Sequence, residues 1–218
     1  MIPRADSEAA WGRVRSPAAL TLAVMLALGL VMAFAPEGVT VASLQPADSS
    51  LDASKWARTG ESEPAWAVAF FVGDTLYALG LAWTFLRLRQ ALPGSPIAAI
   101  AIGAAFVKAG ADVGENLLYL WPAAQALFGA VTSWPPIGAL ASLAMIKRAG
   151  GVVTGVVFAF ALPGESWRAR VARLLLAALG VAAALGFFMP SLALAHAALI
   201  FAFLAYLLWY RRVAAHDH

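Results

Sequence analysis

Six long apolar runs, separated by short polar ones, set the pattern of this chain. They cover about residues 17–35, 65–86, 97–121, 136–162, 171–189 and 191–210. Each is about long enough, at roughly 1.5 Å per helical residue, to cross a hydrocarbon layer of about 30 Å. The pattern predicts an all-α fold: a polytopic transmembrane helical bundle of six spans, forming a single membrane domain over residues 1–218.

The first run follows a polar segment containing Arg4, Arg13 and Arg15. A basic start, an apolar stretch and Ala33-Phe34-Ala35 also describe a cleaved secretory signal. The stretch is long for a signal, and Pro36 would follow the scissile bond, so the adopted reading is an uncleaved span. Residues 36–64, rich in Pro, Ser and Asp, read as an outer loop and a mobile connection rather than a lid. Leu92 to Pro96 reads as a turn. Residues 122–135, too short to span, read as an interfacial or re-entrant piece. Residues 163–173 read as a cytoplasmic turn.

Charge placement orients the spans. With both termini in the cytoplasm, Arg4, Arg13, Arg15, Arg87, Arg89, Arg168, Arg170, Arg173, Arg211 and Arg212 fall inside, and only Lys55 and Arg58 outside. That is the positive-inside pattern. Trp11, Trp83, Trp167 and Trp209 then mark the inner boundary, and Trp56, Trp66, Trp121 and Trp134 the outer one, as aromatic belts do. A competing frame puts Lys147 and Arg148 in the cytoplasm. It leaves a short apolar stretch at 149–163 and exports the basic segment 165–173, against the same rule.

Composition agrees. Hydrophobic residues make up 62% of the chain and charged ones 12%, against about 25% charged in soluble domains. The absence of cysteine excludes disulfides, thiol chemistry and Cys-ligated metals. No long repeat and no nucleic-acid motif is present.

The third run is the exception to apolar spans, because it carries Lys108, Asp112 and Glu115. An ionisable side chain at membrane depth costs about 2.5–3.5 kcal/mol on insertion scales, so it persists where paired, solvated or functional. On a helix, Lys108, Asp112, Glu115 and Tyr119 share one face, with Asn116 at its edge. Lys108 and Asp112 are spaced to pair within the helix. Gly103, Gly110 and Gly114 lie opposite, the last two forming a Gly-x-x-x-Gly that would let another helix approach closely. Both faces read as occupied, which places this helix in the middle of the bundle. Gly151 and Gly155 give the fourth span a second small-residue face.

Other spans add Asp74, Lys147, Arg148 and His196. Asp74 shares a stripe with Trp66, Phe70, Tyr77 and Leu81. Depth counting puts Asp74, Asp112, Glu115 and Lys147 in one layer between the midplane and the outer leaflet, with Lys108 slightly deeper and His196 level with Glu115. One reading is a set of structural ion pairs that fix helix register. The other is a polar site, because intramembrane charges are functional candidates by default. Tyr77 and Tyr119 read as packing aromatics, His196 as a hydrogen-bonded interior side chain, and Arg148 as snorkelling away from the site.

No His-x-x-His or Glu-x-x-His spacing supports a metal, and one histidine within the spans does not suit haem. No Gly-x-Ser-x-Gly, His-Glu-x-x-His or phosphate loop occurs. Neither cofactor nor metal is therefore expected, and no catalytic residue is assigned. The leading expectation is a small inner-membrane transporter or ligand-binding protein whose site comprises Asp74, Lys108, Asp112, Glu115, Asn116, Lys147 and His196. Asp112 and Glu115 would accept protons or cations, with Lys147 as counter-charge. The alternative is a structural or assembly subunit of a membrane complex. An intramembrane lipid-modifying enzyme, with the carboxylates as general acid and base, ranks third. Expected partners are membrane lipids, with other membrane subunits or further copies of the chain as candidates, and no nucleic acid.

Overall fold

A computed structural model describes residues 4–35, 62–92, 95–129, 137–162, 167–185 and 193–214. Six helices account for nearly all of them: α1 Arg4–Ala33, α2 Pro64–Gln90, α3 Pro96–Leu127, α4 Ile137–Ala161, α5 Trp167–Leu185 and α6 Ala193–Ala214. No strand occurs among the described residues. Four helical stretches are long and apolar enough to cross a membrane: Gly12–Ala33, Pro64–Gln90, Pro96–Leu127 and Gly138–Ala161. A shorter apolar stretch, Ala195–Trp209, lies within α6.

Local chemistry starts and stops these helices. Pro64 and Pro96 open α2 and α3, where the missing N–H is no loss. Ser95 caps α3, its Oγ accepting from the Ala98 amide at 3.2 Å. Pro17 sits inside α1, and the Thr21 hydroxyl donates to its carbonyl at 2.7 Å.

One boundary differs from the sequence expectation. α3 continues through Pro122 to Leu127, so residues 122–127 are helix and not a separate interfacial piece; residues 130–135 lie outside the described residues. A proline inside a helix loses one backbone hydrogen bond. Burial of Pro122, with Ala123 packed beside Phe71 and Tyr119, holds the helix together past it. Most of the expected outer loop, residues 36–61, also lies outside the described residues.

The helices form a closed ring. Each packs on its neighbours in sequence, and α6 closes on α1. Named contacts give the directions. Trp66 Nε1 donates to the Val31 carbonyl at 2.9 Å, while Thr21 and Thr84 hydroxyls meet at 3.3 Å, so α1 and α2 are antiparallel. The rings of Phe71 and Tyr119 stack at 5.0 Å between α2 and α3. Gly114 faces Leu143, and Gly150 faces Lys108, so α4 runs back along α3. Trp167 and Trp209 meet at 5.8 Å between the start of α5 and the end of α6.

In a ring no helix is central, so α3 is a wall element and not the middle of the bundle. It is flanked by α2 and α4 and turns Ile100, Phe106, Val107 and Leu117 outward. Exposed apolar side chains on an apolar helix suit lipid.

Two apolar cores fill the ring. The larger reaches all six helices, with Phe85 stacked on Phe158 at 5.1 Å and on Phe203 at 6.0 Å. The smaller comprises Ala67, Phe70, Phe71, Tyr119, Ala123 and Leu140. Along α2, α3 and α4, Asp74, Lys108, Asp112, Glu115 and Lys147 fall between these two cores.

Candidate functional site

Three helices supply the polar layer. From α3, Lys108, Asp112, Glu115 and Asn116 face inward because i, i+4 and i+7 share a helical face. α2 supplies Asp74 and α4 supplies Lys147. Asp74 and Lys147 each stand ten residues beyond the first residues of their helices, Pro64 and Ile137. That is a depth of about 15 Å, on the same end of the ring.

Asp112 is the hub. Its side chain is 2% exposed, and its two oxygens go to different lysines. Lys108 Nζ donates to Oδ2 at 3.2 Å within α3. Lys147 Nζ, reaching from α4, lies 2.5 Å from Oδ1. The same ammonium donates to Glu115 Oε2 at 3.0 Å. Beside this chain of charges, Asn116 Nδ2 donates to Asp74 Oδ2 at 2.9 Å and ties α3 to α2. Asp74 is also under the electrostatic influence of Asp112, Lys147 and Lys108. Removing an ion from water costs several kcal/mol, which opposite charges at close range with further hydrogen bonds can offset.

Gly150 and Gly151 make room for one member of the layer. A β-carbon on Gly150 would stand 2.9 Å from Lys108 Cβ and 3.0 Å from the Ala104 carbonyl oxygen. The Lys108 stem therefore lies in a notch cut by this glycine pair. Beyond it lies a cavity of about 30 Å³, bordered by Lys108, Thr154, His196, Leu81, Phe85 and others. The volume would admit water, but most of the wall is apolar and offers it few hydrogen-bond partners.

The expected residues thus divide. Asp74, Lys108, Asp112, Glu115, Asn116 and Lys147 come together in one layer, Asp74 and Asn116 as a hydrogen-bonded pair beside the ion-paired four. His196 is not ion-paired with it. It borders the cavity and senses Lys108, Lys147 and Asp112 at longer range. Arg148 stands one turn before Val152, whose carbonyl lies against Gly180 of α5, so it sits on a different side of α4 from Lys147. Tyr77, read as a packing aromatic, is close enough to Asp112, Asp74 and Lys147 to feel their charges. Its position three residues after Asp74 was the signal.

The glycines divide too. A β-carbon on Gly114 would stand 3.5 Å from the Leu143 side chain, and one on Gly151 3.5 Å from the Ala183 β-carbon. Gly155 is pressed on α5: a β-carbon there would be 2.6 Å from the Gly180 amide nitrogen. Gly103 and Gly110 form no such surface, because a β-carbon at either meets nothing within 4 Å. Glycine spacing marks a helix that can be approached closely, not one that is. Among the described residues, no three His, Asp or Glu side chains gather as a metal site.

Compared with known proteins, the chain matches no protein-family model, no curated protein and no solved structure.

Proposed function

We propose that this chain is a six-span protein of the inner membrane with both termini in the cytoplasm, a small transporter or ligand-binding protein whose polar site is the layer of Asp74, Lys108, Asp112, Glu115, Asn116 and Lys147. The observation that carries this reading is Asp112, a 2% exposed carboxylate shared between lysines of two helices inside an apolar ring. Five ionisable residues in one layer exceed what helix register needs, and charges at membrane depth are functional candidates. The layer lies nearer the end opposite the arginines of the helix ends, and with the positive-inside rule this supports a site in the outer half of the bilayer. Neutral isosteres, Asp112→Asn and Glu115→Gln, should leave a folded protein that no longer shows ligand-dependent thermal stabilisation in a screen of small polar solutes. Unfolding of both variants, with no solute stabilising the parent, would defeat the reading. Reporter fusions after residues 90 and 168 should report cytoplasm and one near residue 50 the exterior; the opposite result at 168 removes the six-span frame.

A second reading has its own support. Both carboxylates of α3 are already engaged by lysines, and the adjoining cavity is small and apolar. Those features favour a structural subunit of a membrane complex, with the layer as internal glue. Co-purification of a stable partner supports it.

A further inference from the structure

The end of the ring away from the polar layer has a chemistry of its own. Arg13, Arg15, Arg87, Arg89, Arg170 and Arg173 all lie there. Several of these arginines serve the protein itself. Arg87 donates to Gln90 at 2.9 Å, Arg89 to the Leu92 carbonyl at 3.0 Å, and Arg173 Nε to the Leu162 carbonyl at 2.9 Å. Arg170, like Arg13, is exposed and shows no hydrogen bond or ion pair to a described residue; of the two, Arg170 lies on a helix face that also carries an exposed tryptophan, Trp167.

Its surroundings are specific. Trp167, Arg170 and Leu174 follow one another at three- and four-residue spacing along the exposed face of α5, and Val181 continues that face towards the bilayer interior. Trp167 is 57% exposed and Leu174 69%. On α6, Trp209 meets Trp167 at 5.8 Å and Tyr206 at 5.9 Å, so three aromatic rings make a rim beside Arg170. An exposed guanidinium at the head-group level, a rim of amphipathic rings, and an apolar stripe running below it match one amphiphile from phosphate to acyl chain.

We propose that the α5–α6 edge, with Arg170 at its head and Trp167, Tyr206 and Trp209 as its rim, is a binding site for an anionic glycerophospholipid. The phosphate pairs with Arg170 and the acyl chain lies along Leu174 and Val181. This inference does not depend on the role of the interior layer.

Native mass spectrometry of the full chain, titrated with phosphatidylglycerol or phosphatidylcholine, tests it. Phosphatidylglycerol should bind tightly and phosphatidylcholine should not. Arg170→Gln should weaken phosphatidylglycerol about fivefold, the worth of one arginine at a lipid surface. Arg87→Gln, on the other side of the ring, should leave that binding unchanged. Equal weakening by both variants would mean a diffuse cationic surface and would overturn the site, as would equal binding of the two lipids. Displacement of the lipid by inorganic phosphate would overturn the lipid assignment. Because Arg170 is exposed and supports no described contact, the variant should fold, and unchanged thermal unfolding verifies this.

Discussion

α4 holds its two neighbours in opposite ways. Towards α3 it offers charge: Lys147 reaches Asp112 and Glu115, and Gly150 with Gly151 makes a groove for a lysine stem. Towards α5 it offers absence of bulk: Gly155 and Gly180 bring the two backbones into contact, with no charge involved. Lipid tails are as apolar as side chains, so burial alone draws helices together weakly within a bilayer. The two seams show the alternatives that remain. One fixes register by pairing ions, the other by shape.

Removal of a charge should have the largest effect. Lys147→Met strands the buried Glu115 carboxylate and leaves Asp112 with Lys108 alone, and a loss of about 3–5 kcal/mol is expected, reduced to the extent that water reaches the partly exposed ammonium. Combining it with Glu115→Gln should restore part of that loss in thermal unfolding in detergent, because fewer charges are then left alone. If the double variant is as unstable as Lys147→Met, the α3–α4 seam is not held by this pair. Next comes the shape-held seam. Gly155→Ala should cost about 1–3 kcal/mol by overpacking, with no dependence on salt or on a charge partner. A neutral outcome would mean that α4 and α5 can separate freely. Gly150→Ala joins the two cases: its β-carbon would meet Cβ and Cα of Lys108 and the Ala104 carbonyl, none of which can swing aside, so about 1–2 kcal/mol is expected. Most of that loss should persist in a Lys108→Ala background, because alanine keeps the β-carbon that stands in the way; its disappearance would mean that the stem beyond Cβ is the obstacle. The smallest effect belongs to Gly110→Leu, which faces open space and should change stability by no more than about 0.5 kcal/mol. A large loss there would expose an interface that the ring does not contain.

Legibility in the sequence followed the same division. The Lys108–Asp112 pair lies within one helix, so its spacing alone announced it. The level shared by Asp74, Asp112, Glu115 and Lys147 was readable by counting residues from the span ends, since depth is additive along a helix. Which of these would touch was not readable, because that depends on which helices become neighbours and how each is rotated. His196 shows the limit: an acceptable depth, yet a position on the cavity wall and not in the layer. Glycines show it more sharply. Gly110 had the spacing and found no neighbour, whereas Gly180, with no motif to mark it, is pressed against α4 as closely as Gly155 is against α5. Helix continuation through Pro122 was equally hidden, because it rests on burial supplied from α2.

The span of the Lys147–Glu115 bond has a consequence for biogenesis. Ribosomes deliver the chain from its N-terminus. As soon as α3 is made, Lys108 can neutralise Asp112 four residues away, but Glu115 must wait for a lysine thirty-two residues downstream. A nascent chain that stops short of α4 therefore presents Glu115 without its lysine in the hairpin of α2 and α3, the kind of signal by which an incomplete membrane protein differs from a finished one. Arrival of α4 silences it.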